Sequence, residues 1–393
     1  MKHPNGGDQS HTFARDRLTS LAYGMAVSFG FGVAAIGPAM PLLRDDLGIS
    51  RTVGGLHFTA LAVGSIVAGL AVERSIGRYG RRRVFWGGGA GAAAGALLIG
   101  AGWSPVVTLA GALVMGISGA SMLAVSQATL SDHHPAHRSV ALTEAGTAMS
   151  FGSALPALLI GALVAVGAGW RPAFVAPAAI WLMLALARRS EVFPPAPRIV
   201  AVGHRRRLPA AYWFFWAALI PSVGAEWSVG AWGAGYLVDI AGTTEGSASF
   251  LMTAFFGAMV AGRLVGGRLA RLMRPFSLLL GTATIGLAGI LVFWGSQSVV
   301  PVVIGLFTTG LGISMLFPML LSLAMGTAAD RSGVAAARVS IAAGGSVVVA
   351  PLTLGALADA AGIRAAFGMV PGLFLLVVVL ASLGRRADSA RRL

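Results

Sequence analysis

In 393 residues the chain carries 56% apolar and 11% charged side chains, at a mean hydropathy of +0.79. That balance excludes a water-soluble globule and calls for a bilayer around most of the molecule. The formal charge of +15 would suggest nucleic acid in a soluble protein, but here it follows the segments between apolar stretches, and nucleic acid is not an expected partner. The absence of cysteine excludes disulfides, thiolate chemistry and Cys-ligated metals, and nothing in the chain calls for a metal or other cofactor.

Residues 1–17 are polar and lead directly into an apolar run, which is not the pattern of a cleaved signal. Stretches long enough to cross roughly 30 Å of hydrocarbon follow at 18–43, 53–72, 84–103, 105–130, 140–168 and a short 172–187. An Arg- and Pro-rich segment, 188–210, comes next. Six more stretches follow at 211–237, 247–267, 276–296, 298–325, 339–361 and 365–384. Their lengths require helices, because barrel strands would alternate over about ten residues. The basic side chains sort by side. One set of loops holds Arg74, Arg78, Arg81, Arg82, Arg83, Arg188, Arg189, Arg205, Arg206, Arg207, Arg271, Arg274, Arg385 and Arg386, while the other keeps only Arg44, Arg51, Arg171 and Arg364. The positive-inside rule then places both termini and the 188–210 linker in the cytoplasm of a multi-pass cell-membrane protein.

A repeat divides the chain. Gly64, Val67, Ala68, Gly69, Val72, Arg78 and Arg81 return as Gly257, Val260, Ala261, Gly262, Val265, Arg271 and Arg274, each 193 positions later. Ser121, Met122 and Leu123 return as Ser314, Met315 and Leu316 in the same register. Two equivalent bundles are expected, 1–187 and 211–393, forming an all-α monomer about a pseudo-twofold axis. Small residues such as 87–96 (GlyGlyGlyAlaGlyAlaAlaAlaGlyAla) speak for close helix packing rather than chemistry.

With twelve spans, two six-helix halves, cytoplasmic ends and a basic central loop, the chain resembles the major facilitator superfamily over nearly its whole length. The best local match is Arg78-Tyr79-Gly80-Arg81-Arg82, similar to the end of the family signature Gly-x-x-x-Asp-Arg-x-Gly-Arg-Arg. Gly77 stands in the Asp place and Glu73 in that of the first Gly, which suggests a carboxylate moved one turn upstream. Gly266, Arg271 and Arg274 fit the signature in the second half, with Ala270 in the Asp place. Two signatures of proton-driven drug exporters are incomplete: Ala112 stands where span 4 carries an Arg, and Leu155 precedes Pro156 where span 5 carries Gly. The resemblance implies a secondary transporter of a small organic solute working by alternating access, with protons as coupling ion. It leaves import of a sugar-type solute and export of a drug or metabolite both open.

Ionisable groups within spans mark pathways by default. Glu226, about fifteen residues into span 7, is the clearest, and desolvation at that depth makes it a candidate for binding and releasing a proton. Trp227 adjoins it, with Trp232 and Tyr236 farther along, and aromatic faces beside a carboxylate suit sugar rings or organic cations. The segment also resembles span 7 of the fucose and glucose permease branch. Glu144, near the inner start of span 5, reads as the partner of Arg78, Arg81 or Arg138 and as a second proton candidate. His57 near the outer end of span 2 can titrate near neutrality, although a hydrogen-bonded structural role is commoner. Gln127 can reach a solute or a neighbouring helix. Arg263 reads as a snorkelling or gate residue. Glu73, Arg78, Arg81, Arg82, Arg271 and Arg274 are expected to form a cytoplasmic gate. Pro38, Pro156, Pro221, Pro318 and Pro351 interrupt helical bonding and are candidate hinges.

Other classes fit less well. Gly116-Ile117-Ser118-Gly119 superficially resembles a buried serine-nucleophile motif, but no later span supplies a histidine base, so an intramembrane hydrolase is a remote alternative. No carbonyl filter or ring of acids suggests a channel, and no phosphate-binding Gly-rich loop suggests a nucleotide-driven pump.

Overall fold

A computed structural model of the chain describes residues 13–195, 208–328 and 332–392. Most of the 188–210 linker, with Arg205, Arg206 and Arg207, lies outside them. Among the described residues there is no strand. The first half comprises α1 (Arg17–Leu47), α2 (Arg51–Tyr79), α3 (Arg81–Ala101), α4 (Pro105–His133), α5 (Arg138–Ala165) and α6 (Val175–Arg188). The sixth span is short because its first turn, Arg171–Phe174, is a 3-10 turn. The second half comprises α7 (Ala210–Asp239), α8 (Glu245–Leu251) and α9 (Thr253–Leu269), α10 (Pro275–Gly295), α11 (Val299–Ile313) and α12 (Leu316–Thr327), α13 (Ser332–Ala361), α14 (Ile363–Phe367) and α15 (Met369–Arg392).

Eleven of the spans are long and apolar enough to cross a membrane by composition, and α7 makes the twelfth. Its Trp, Tyr and Gly residues and Glu226 lower its hydropathy, yet its 30 residues reach about 45 Å at 1.5 Å per residue. Local chemistry sets the ends. The side chains of Asp16, Ser50, Ser104 and Thr244 accept from the N–H three residues on at the starts of α1, α2, α4 and α8. Gly48 closes α1 at φ 62°, the left-handed conformation glycine adopts without steric cost.

Helices run unbroken through Pro38, Pro156, Pro221 and Pro351, where the sequence led us to expect interruptions. Neighbouring helices also bond to these turns: the carbonyls of Pro38 and Pro351 accept from Ser249 Oγ and Trp232 Nε1 at 2.7 and 2.8 Å. Breaks within the spans fall between Leu251 and Thr253, between Ile313 and Leu316 and between Phe367 and Met369, the second just ahead of Pro318 in the first turn of α12, a position proline tolerates.

The repeat reappears as packing. In the first half α3 lies on α4, α2 on α4, α1 on α5, α1 on α6 and α3 on α6. In the second, α10 lies on α11, α9 on α11, α7 on α13, α7 on α15 and α10 on α15. Close approach needs the small residues. A Cβ on Gly111 would stand 2.7 Å from the Gly95 carbonyl oxygen, and one on Gly305 would stand 2.8 Å from the Gly289 carbonyl oxygen, the equivalent contact 194 residues on. The halves meet through α1 with α7, α2 with α13, and α5 with α8 and α9. The second and third of these are exchanged by the same twofold relation.

Candidate transport site

The two halves are joined most tightly at the end away from the termini. There Arg51 pairs with Asp239, and the Asp359 carboxylate of α13 accepts from the N–H groups of Arg51 and Thr52 at 3.0 and 2.7 Å and from Thr52 Oγ1 at 2.6 Å. Asp359 therefore caps α2 from the opposite half. Beneath this latch the backbones nearly touch, since a Cβ on Gly37 of α1 would lie 2.0 Å from the Gly230 carbonyl oxygen of α7. Thr59 Oγ1 adds a bond to the Val348 carbonyl at 2.8 Å. Nearer the termini, Arg263 bonds to Ser150 across the halves.

Between that contact and the latch lies a cavity of about 280 Å³, lined by α1, α2, α4, α5, α7, α9 and α13. Its walls are mostly aromatic and aliphatic, with Phe29, Phe58, Trp227, Phe255 and Phe256 prominent. The Phe58 and Trp227 rings meet edge to face across the two halves at 6.4 Å. Two charged side chains enter it, Glu226 from midway along α7 and Arg263 from α9. Arg263 Nη2 stands 3.8 Å from Glu226 Oε1, an ion pair without hydrogen-bond contact, and Arg263 Nη1 donates to Ser150 Oγ. The Nε–H of Arg263 is buried with no partner. The lining serines are occupied: Ser65 donates to Leu61, Ser150 to Gly146, and Ser153 to Gly30 and Met149, all at backbone carbonyls.

Of the sequence candidates, Glu226 and Trp227 reach this cavity. Trp232 is buried in the cross-half seam, with its indole N–H on the Pro351 carbonyl. Tyr236 is buried within the second half, donating to the Trp294 carbonyl at 2.8 Å and packing on Phe293 and Phe367. His57 is fully buried and bonded to Thr108 Oγ1 at 2.8 Å. Gln127 lies exposed on α4, one turn beyond the lining residue Leu123. Glu144 pairs with Arg15 at 2.5 Å and accepts from Tyr23 at 3.1 Å, rather than meeting Arg78, Arg81 or Arg138. Arg15, just ahead of α1, supplies its cation.

The expected gate residues stand at the terminal end. Arg81 is buried and pairs with Asp132 of α4 at 2.7 Å, with the carbonyls of Pro194 and Pro195 at 3.3 and 3.4 Å. Asp132, and not Glu73, thus supplies the carboxylate missing at Gly77. Glu73 is exposed, Arg78 lies over the Tyr79 ring, and Arg82 donates to the Arg189 carbonyl. Arg271 and Arg274 are exposed. Ser118 Oγ lies against Gly91 of α3 and outside the cavity.

Sequence reasoning missed Arg263 as a cavity residue. The signal was present, because an arginine within a span is as costly as a glutamate. Phe29, Phe58, Phe255 and Phe256 carried no signal, since aromatic residues in a span look alike whether they face lipid, core or cavity.

Two six-helix halves enclosing a central cavity with an ion pair define a multi-pass membrane transporter. The chain belongs to the Major Facilitator Superfamily, whose sequence profile matches residues 22–233 and again 210–392. No curated protein matches the chain. Among solved structures it is similar to a bacterial homologue of the human lysosomal transporter Spinster in an inward-facing, unoccupied conformation, at 13% identity and a TM-score of 0.75, covering 95% of this chain and 98% of that one. The D-xylose–proton symporter is similar at 13% identity and a TM-score of 0.70, covering 94% and 96%. At such identities the likeness speaks for the fold.

Proposed function

We propose that this protein moves a small organic solute across the cell membrane by alternating access coupled to protons, with solute held in the central cavity and Glu226 as the group that gains and loses the proton. The observation that carries this reading is the Glu226–Arg263 pair, a carboxylate held 3.8 Å from a guanidinium in an otherwise apolar cavity between the halves. A charged pair is costly there, and coupling needs a carboxylate whose protonation changes what the cavity binds. The fold is shared with a proton symporter, which adds support.

The positive-inside bias makes the terminal end cytoplasmic, so the tight far-end seam corresponds to an inward-facing arrangement. The units 1–187 and 211–393 rock about the cavity, with 188–210 as their tether. In the opposite state Arg78, Arg81, Arg82 and Glu73 close against Arg271 and Arg274. Export in exchange for protons uses the same site with the opposite cycle and is the second reading.

The test uses purified protein in liposomes with an imposed pH gradient. Glu226→Gln keeps the side-chain shape but cannot cycle a proton, so gradient-driven accumulation should vanish while solute exchange persists. Full accumulation by this variant would move the proton site elsewhere, with Glu144 the next to examine.

A further inference from the structure

Charge balance in the cavity constrains what it accepts. Among the described residues Glu226 and Arg263 are its two charged groups, and the faces of α1, α2, α4, α5 and α13 add only apolar side chains and serines. A net charge in such a site is costly unless it is compensated. With Glu226 ionised the pair is neutral and has no use for a charged solute. Once Glu226 is protonated, the cavity holds one uncompensated guanidinium, which does not lose its own proton.

The guanidinium has donors to spare. Its Nε–H is buried without a partner, and its Nη2 approaches Glu226 only to 3.8 Å. A planar carboxylate fits that fork by two parallel hydrogen bonds. A cationic solute fits badly, because Arg263 would repel it beside the same carboxylate. A sugar fits badly too: the lining hydroxyls of Ser65, Ser150 and Ser153 already donate to backbone carbonyls, and no amide or tyrosine lines the cavity among the described residues. The rest of the wall is aromatic and aliphatic, which suits a compact apolar body.

We propose that the solute is a small amphiphilic monocarboxylate whose acid group takes the place of Glu226 on Arg263 when Glu226 is protonated. One proton and one monoanion then cross together, and the cycle is electroneutral. The class rests on the reading of Glu226 as the proton site given above, and the two are separable by experiment.

Purified protein is screened by thermal shift against benzoate, phenylacetate and isovalerate, against benzamide and phenylacetamide, and against benzylamine, at about pH 6 and about pH 8, where the free acids stay ionised. The carboxylates should stabilise the protein, more at the lower pH, and the amides and amine should not. Arg263→Gln should weaken carboxylate binding about tenfold or more. Glu226→Gln should bind carboxylates equally at both pH values. No stabilisation by any carboxylate, or equal stabilisation by amides or amine, overturns the proposal. So does an unchanged affinity in Arg263→Gln; if that variant does not fold, the acid-to-amide comparison on the native protein decides. Proton-driven uptake of the amine would sink the anion class and leave the proton reading standing. Carboxylate binding through Arg263 with full gradient-driven uptake by Glu226→Gln would do the reverse.

Discussion

Asp359 offers the sharpest test of the far-end latch. Truncating it to alanine removes the cross-half cap on α2, where its carboxylate takes the Arg51 and Thr52 N–H groups at 3.0 and 2.7 Å and Thr52 Oγ1 at 2.6 Å. Losing a helix cap costs about 1 kcal/mol, and removing an anion from a helix N-terminus adds about 0.3–1 kcal/mol. The Arg51–Asp359 pair, 4.0 Å apart with side chains 23% and 29% exposed, adds at most about 1 kcal/mol. Ser50 still caps Val53 at 3.2 Å, so the smallest expected loss is about 1 kcal/mol. All of these contacts exist only while the far end is closed, so the variant should shift the balance toward far-side opening by about fivefold, for about 1 kcal/mol, to about 150-fold, for about 3 kcal/mol. Since the chain has no cysteine, Ser65→Cys in the cavity wall introduces a unique thiol. Its labelling rate with an impermeant maleimide added from the far side reads the shift directly. An unchanged rate in folded protein would refute the latch.

A related contrast separates motion from folding. Gly37→Val should block far-end closure, because its Cβ meets the Gly230 carbonyl oxygen at 2.0 Å across the halves, whereas Gly152→Val clashes with the Val27 carbonyl oxygen at 2.2 Å inside one half. The first should express and label from the far side with transport lost; the second should lower folded yield. His57→Ala should cost about 0.5–1.5 kcal/mol for the lost bond to Thr108, which keeps the Pro105 carbonyl at 3.1 Å, and more for the cavity left behind, visible as a lower melting temperature. The pH profile of transport should stay unchanged, and a shifted profile would return His57 to the proton pathway. At Asp16 burial acts to raise the carboxyl pKa, but the Thr19 side chain and N–H and then His133 outweigh it and hold it at about 2 instead of 3.8. A depressed acid contributes stability above its unfolded pKa and loses it as pH falls. Asp16→Asn should therefore lower the melting temperature near neutrality, and the difference should vanish as pH falls from 3.8 to about 2.

Span number, the helical class and the half-chain repeat were legible in the chain because each is a property of a single segment or of two segments compared in register. Hydropathy marks a span whatever it packs against, and 193-residue register survives in Gly64 and Gly257 without knowledge of their neighbours. Glu226 stood out for the same reason, as a charge whose cost follows from depth alone. Partners were another matter. Asp132 replacing the signature acid, Arg15 reaching Glu144, and Arg263 facing Glu226 are pairings across different helices, and each depends on helix rotation and crossing. Those are set by which small residues let two backbones approach, as at Gly37 and Gly230. In a chain where nearly every span is Gly- and Ala-rich on several faces, many rotations satisfy the local pattern. Only the joint packing of all the helices selects one, and with it the face on which Trp227 meets the cavity while Trp232 and Tyr236 are buried elsewhere.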